Sequence, residues 1–233
     1  MHAEPPSLPL IPDELSVLSE LVVLEGQRII ELGCGAARMA RQLLERYPDS
    51  CVTGLETDER QHAKNMALPQ ERLRFLLAGA QAIPVADASF DLALMLKSLH
   101  HVPIPMMKQA LDEVRRVVRL GGHLYVSEPV YSGPLNEIIR LFNDEREVRL
   151  AAQAAVDDAI TSQGWTQVAE RRFEMPVRFK DFGDFERRML RPTYANHCID
   201  DATVAAVRER FEPHCRGDGA YFTRPMHVRL LRR

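Results

Sequence analysis

Glu31-Leu32-Gly33-Cys34-Gly35 follows the apolar pair Ile29-Ile30 and precedes a helix-period pattern at Met39, Leu43 and Leu44. That order describes a buried strand, a tight turn and a helix N-terminus. Gly33 and Gly35 open φ/ψ values that other residues avoid, and they put no side chain between backbone and ligand. Free N–H groups at a helix start add a weak positive field. Glu31 sets a carboxylate at the mouth of the turn, which suits a cationic ligand better than a pyrophosphate. The dinucleotide pattern G-x-G-x-x-G is broken, because Arg38 stands at its third glycine. About twenty residues on, Glu56 closes the run Cys51–Leu55, with Thr57 beside it. A carboxylate there accepts from both hydroxyls of a ribose. A third group is Lys97-Ser98-Leu99-His100-His101, at the exit of the apolar run Phe90–Leu96. Ligands of open α/β sheets sit beyond the carboxyl ends of the strands. His100 and His101 are therefore candidate general bases, since histidine titrates near neutral pH.

The elements that must position these groups alternate strand and helix. Asp13 caps a helix carrying Leu15, Val17, Leu18, Leu21 and Val22, which ends before Gly26. Strands are expected at Arg28–Leu32, Cys51–Glu56, Leu73–Ala78, Phe90–Leu96 and His123–Pro129. Helices are expected at about Ala37–Tyr47, Glu59–Met66 and Met106–Leu120, the last closed by Gly121-Gly122. Beyond Val130 the pattern predicts helices at Leu135–Phe142, Glu147–Ile160, Phe179–Leu190 and Ala202–Phe211. A sixth strand is expected at Thr166–Phe173, and a last one at Ala220–Leu231, interrupted at Arg224-Pro225.

Glu-Leu-Gly-Cys-Gly-Ala-Ala resembles the first motif, E/D-x-G-x-G-x-G, of the class I S-adenosylmethionine-dependent methyltransferases, with Ala37 for its last glycine. Gly79 to Asp91 resembles that family's G-D-A-x-x-L-P-F-x-D-x-S-F-D stretch. Leu99 to Val102 resembles its L-x-H-V/L segment, and Glu113 to Leu124 its R-V-L-K-P-G-G-x-L motif, with Leu120 for the proline. These motifs run in family order over roughly Gln27–Pro129, and the likeness is to the small-molecule, type 11-like members. The resemblance implies S-adenosyl-L-methionine as cofactor and a Rossmann-like α/β fold. Its mostly parallel seven-stranded sheet would be flanked by helices, with helical cap insertions and an antiparallel last strand. A single domain over 1–233 follows, with 13–129 as the cofactor half, 130–219 carrying the caps and 220–233 the last strand. The implied cofactor set is Glu31, Gly33, Cys34, Gly35, Glu56, Thr57, Gly79, Ala80, Gln81, Lys97 and Ser98. Gly79 stands where the family has an aspartate that receives the adenine amino group. The Ala80 N–H and the Gln81 side-chain carbonyl are then left to serve the adenine.

The implied reaction moves a methyl group to an O, N, S or C nucleophile of a small molecule by in-line displacement. Tyr131, Arg140, Tyr194, His197 and Tyr221 are candidates for contact with that acceptor. No Asn/Asp-Pro-Pro-Tyr follows strand four, and the net charge of −3 exerts no general pull on nucleic acid or anionic lipid. Nucleic acid is disfavoured as a partner, and a monomer or homodimer is expected. Two other readings stay open: a non-catalytic protein that binds S-adenosylmethionine or S-adenosylhomocysteine, and a methyltransferase of RNA or protein. With 45% hydrophobic and 27% charged residues the chain reads as soluble and globular. It has no apolar run of membrane-spanning length, and Met1–Pro12 lacks a signal-peptide core, so a cytoplasmic protein is expected. No metal is expected, since the pairs His197-Cys198 and His214-Cys215 match no familiar zinc spacing.

Overall fold

The computed structural model describes residues 8–191 and 199–233. In chain order the main elements are α1 (Glu14–Leu21), β1 (Arg28–Leu32), α2 (Arg38–Arg46), β2 (Cys51–Glu56), α3 (Glu59–Met66), β3 (Leu73–Leu77), β4 (Phe90–Leu96), α4 (Met107–Val117), β5 (Val118–Pro129), α5 (Pro134–Ile139), α6 (Arg146–Ser162), β6 (Thr166–Phe179), α7 (Phe182–Phe185), α8 (Asp201–Phe211), β7 (Cys215–Arg216) and β8 (Gly219–Arg232). They fall into two compact units. The larger holds 13–128, 148–171 and 227–233; the smaller holds the described residues of 1–12, 129–147 and 172–226.

The larger unit carries the parallel ladder. β1 pairs in parallel with β2 on one side, from Arg28↔Cys51 to Leu32↔Leu55, and with β4 on the other, from Ile29↔Leu92 to Leu32↔Met95. β3 extends the sheet beyond β2, and β5 beyond β4. The full order is β3-β2-β1-β4-β5-β8-β6. Strand order reverses between β1 and β4, so a crevice opens beyond their carboxyl ends. β8 runs against β5: near the start of β5, Gly121 N–H donates to Arg233 O and Arg233 N–H donates to Gly122 O. Seven strands make up this path, as expected; the two-residue β7, antiparallel to β8, is an eighth.

Leu92, Ala93, Leu94 and Met95 of β4 are fully buried, as a central strand covered on both faces requires. In one cluster Ile30, Leu32, Leu55, Ala93 and Met95 meet Leu111, Val114 and Val117 of α4 and Ala152, Val156 and Ala159 of α6. Each fully buried Leu, Val or Ile stabilises the fold by about 1.5–3 kcal/mol. The caps follow the sequence. Asp13 accepts from Leu15 N–H at the start of α1, and Asp58 accepts from Arg60 and Gln61 N–H at the start of α3.

Helix α4 is shorter than expected. It ends at Val117, and Val118 is already extended and paired with Phe90. The β4–β5 register shifts between Phe90 and Leu92, where a Cβ on Gly122 would lie 2.7 Å from Asp91 O. Gly122 thus permits a close strand approach, and the glycine pair is not a helix stop. β6 runs on to Phe179, and the helix expected at Phe179–Leu190 is replaced by α7 and a π-helical turn, Glu186–Leu190. The three-residue spacing of Phe179, Phe182 and Phe185 reflects a shared cluster, not one helix face. Phe179 and Phe185 meet edge-on at 5.0 Å, and Phe185 and Phe211 lie 4.9 Å apart. With Leu135, Ile138, Val207 and Phe222 they form the core of the smaller unit. α5 stops at Ile139, short of Phe142. β8 is not interrupted at Arg224-Pro225: the strand is continuous, and Pro225 O accepts from Val130 N–H at 2.8 Å. Among the described residues no helix is long and apolar enough to cross a membrane.

Candidate functional site

The turn after β1 is held from several sides. Gly33, Gly35 and Ala37 all have positive φ, +70°, +51° and +53°. A Cβ on Gly33 would lie 2.8 Å from Ser98 Cβ, so only glycine lets the exit of β4 come this close. A Cβ on Gly35 would meet nothing within 4 Å, so the turn is open on that side. Cys34 N–H donates to Leu55 O at 2.9 Å, and Gly35 N–H donates to Glu56 Oε2 at 2.8 Å. Asn65, buried on α3, donates Nδ2–H to Gly35 O at 2.7 Å. The Cys34 thiol is pushed up to about 12 by burial, helped by the carboxyls of Glu31 and Glu56.

Three acids stand at or next to the carboxyl ends of parallel strands: Glu31 on β1, Glu56 on β2 and Glu128 on β5. Glu56 Oε1 also accepts from Thr57 and Asp58 N–H, at 2.8 and 2.9 Å. A carboxylate offers about four lone-pair sites, so three backbone donors fix its orientation and leave room for a ligand hydroxyl. Glu31 is buried, and its Oε2 accepts from Ala40 N–H at 3.2 Å. Ala37 at the N-cap of α2 offers no side-chain acceptor, so Glu31 caps the helix from the neighbouring strand. Burial pushes the Glu31 carboxyl up to about 8, while the Ala40 N–H and the Lys97 charge pull it partly back.

Lys97, itself at φ +56°, places Nζ 2.8 Å from Glu14 Oε2 on the first residue of α1. Glu14 Oε1 and Ser98 Oγ are buried with no hydrogen-bond partner among the described residues. Buried oxygens left unpaired are costly, and an ammonium or hydroxyl arriving at the turn would satisfy them. The donor and acceptor set therefore fits the group the sequence implies. At Gly79 the Gln81 amide lies 2.5 to 2.8 Å from where a Cβ would project. Gln81 folds back into the space that a side chain at 79 would use, and offers both an acceptor and a donor there. Ala80 beside it is buried.

His100 is buried, and its Nδ1 is bonded to Glu128 Oε2. Glu128 Oε1 accepts from Ser98 N–H at 3.2 Å and from Leu99 N–H at 2.9 Å. The exposed His101 ring lies 4.1 Å from that of His100. Sequence reasoning named the histidines and missed Glu128, although an acid closing a strand was the signal that found Glu56. Glu14 was hidden behind the capping Asp13, and Asn65 inside a polar helix carried no signal.

The expected acceptor contacts lie in the smaller unit. The Tyr131 hydroxyl is bonded to Asp144. Arg140 Nε is 2.9 Å from Glu137 Oε2. The Tyr221 hydroxyl is 2.5 Å from Asp218 Oδ2, with the Arg178 guanidinium 5.5 Å from its ring centroid. Tyr194, His197 and Cys198 lie outside the described residues.

Residues 30–126 match the methyltransferase-domain family. The chain is 34% identical over 112 residues to an O-methyltransferase of Aspergillus nomiae, covering 45% of this chain and 48% of that protein. It is 30% identical over 172 residues to the 27-O-demethylrifamycin SV methyltransferase of Amycolatopsis mediterranei, covering 63% and 62%. It spans about half the length of the curated relatives it matches. The fold is similar to the crystal structure of a putative methyltransferase from Bacillus halodurans, with a TM-score of 0.65 at 15% identity, over 94% of this chain and 98% of that one.

Proposed function

We propose that this chain is a class I S-adenosylmethionine-dependent methyltransferase that moves a methyl group from S-adenosylmethionine to a nucleophilic atom of a small molecule. Relatives named as O-methyltransferases support an oxygen acceptor. The observation that carries the reading is the turn at 33–35, open at Gly35 and tied to Glu56 and Asn65 beyond the carboxyl ends of β1 and β2. Glu31, Gly33, Cys34 and Gly35 would border the amino-acid end of the cofactor, and Glu56 with Thr57 its ribose. Gly79, Ala80 and Gln81 would meet the adenine, and Lys97 and Ser98 would stand near the sulfonium.

When bound, S-adenosylmethionine supplies a methyl group on a positively charged sulfur, a reactive electrophile. The chain's task is then to align an acceptor with the S–CH3 bond and exclude water, which contributes up to about 7–11 kcal/mol. A base is needed only for an acceptor that arrives protonated. With Nδ1–H donated to Glu128, His100 presents Nε2 as proton acceptor, and the Glu128 carboxylate stabilises the imidazolium that forms. His101 is the second candidate for this role. Tyr131, Arg140, Tyr194, His197 and Tyr221 remain the candidates for acceptor contact. Free thiols at Cys34, Cys51 and Cys215 suit a reducing compartment such as the cytoplasm.

Calorimetric titration with S-adenosylmethionine and S-adenosylhomocysteine, with NAD as control, tests the reading. Micromolar binding that Glu56→Ala weakens by about 1–3 kcal/mol is expected, the cost of a lost hydrogen bond to a charged group. Folded protein that binds neither ligand would sink the proposal.

A further inference from the structure

A second cleft opens at the opposite ends of the strands from the glycine turn. It encloses about 440 Å³ within the larger unit and is lined by Arg28, Cys51, Val52, Arg72, Arg74 and Phe90, among others. That volume is in the range of small-ligand pockets, roughly 300–1,000 Å³. Its origin is topological. The connection from β3 to β4 contains no helix, so the amino ends of β2 and β3 lack the cover that a crossover helix supplies. Register then gathers the side chains. Arg28 pairs with Cys51 and Thr53 with Arg74, and paired residues project from the same face, as do residues two apart. Arg28, Cys51, Thr53 and Arg74 therefore share one face.

The charge in this cleft is unbalanced. Arg74 Nε–H donates to Thr53 Oγ1 at 2.8 Å, and Arg72 Nη1–H donates to Asp49 O at 3.0 Å. Both bonds go to neutral oxygens, and among the described residues neither guanidinium has a carboxylate within ion-pair distance. Arg28 does have one, Asp91 at 3.4 Å, but shares it with Arg119 at 2.5 Å. Two guanidiniums are thus held in place by neutral partners, with most of their donors uncommitted, at the rim of a cleft whose floor includes the buried Val52 and Phe90. In a chain of net charge −3 this is a local cationic site. Guanidinium forks match phosphate and carboxylate oxygens, and the apolar floor matches a hydrocarbon body.

We propose that the cleft at the amino ends of β1–β3 binds a small amphipathic anion, a phosphate or carboxylate head on a short apolar tail, with Arg72 and Arg74 holding the head. The site is separate from the glycine turn and does not depend on the methyltransferase reading.

Octyl phosphate and octanoate, below their micelle concentrations, are titrated calorimetrically into the full chain, with inorganic phosphate and neutral octyl glucoside as controls. The exposed Cys51 thiol is a built-in reporter, followed by iodoacetamide labelling and peptide mass spectrometry, with the exposed Cys215 as internal reference. Octyl phosphate or octanoate is expected to bind more tightly than inorganic phosphate and to slow labelling of Cys51 but not of Cys215. The double variant Arg72→Gln/Arg74→Gln is expected to weaken binding roughly tenfold or more, the cost of losing charge-assisted hydrogen bonds. Both side chains are exposed, so the variant should fold, and S-adenosylmethionine titrated into the same samples reports separately on the cofactor site. No binding of either anion at millimolar concentration overturns the proposal. So does binding that leaves Cys51 unprotected, binding that survives the double variant, or equal binding of octyl glucoside.

Discussion

Glu31 has two roles at once. It caps α2 through Ala40 N–H, and it is a buried carboxyl whose proton is held up to about pH 8. Between the unfolded value near 4.5 and the folded value near 8, the folded state binds the extra proton. This contribution to stability is full below pH 4.5 and is lost as pH rises through 8. A cationic ligand beside Glu31 favours the carboxylate, so its binding releases a proton in this window. Affinity for S-adenosylmethionine should therefore rise with pH between about 6 and 8 and level off above. Titrations in buffers of different ionisation heat measure that proton, and Glu31→Gln should remove both the proton release and the slope. Glu128 is tied more tightly, to His100 and to two backbone N–H groups. Glu128→Leu strands all three partners in a buried site and should cost about 3–5 kcal/mol in urea unfolding. Glu128→Gln keeps an acceptor and should cost clearly less.

At the scale of elements, the β4–β5 pair decides where α4 stops. Gly122 faces Asp91 O and the Val118 side chain, each 2.7 Å from where a Cβ would stand. Gly122→Ala must push two paired strands apart and should destabilise by roughly 1–3 kcal/mol. An unchanged denaturation midpoint would contradict the close strand approach. The exit of β4 matters in the same way. Ser98 Cβ nearly touches the position of a Gly33 Cβ, so the turn after β1 and the loop carrying the histidines constrain each other.

For the whole molecule, each unit has a core of its own, aliphatic in the larger and phenylalanine-rich in the smaller. A ligand that binds only the folded chain raises its stability by about 2.7 kcal/mol at one hundred times its Kd. S-adenosylhomocysteine should produce this shift. Amide-exchange protection should gather at residues 33–35, 56–58 and 97–99, where the turn and the strand ends meet. Protection confined to other residues would place the ligand elsewhere.

Most of the larger unit was legible in the chain, because its signals are local. Strand β4 is apolar without a break from Leu92 to Leu96, the turn after β1 needs glycines, and Asp13 and Asp58 cap their helices within three residues. The motif order over Gln27–Pro129 carried the resemblance to the methyltransferase family and, with it, the proposed cofactor side of the site. Long-range pairing decided the rest. The Gly121-Gly122 pair looks like a helix end until Val118 is seen against Phe90. The phenylalanines at 179, 182 and 185 look like a helix face until Phe211 and Phe222 join them. Glu128 becomes the partner of His100 only when β5 lies beside β4. The arginines at 28, 72 and 74 line one cleft only once β1, β2 and β3 lie side by side. A sequence fixes turns, caps and periods through neighbours in the chain; which distant side chains share a buried hydrogen bond depends on register, and register is set by the packed sheet.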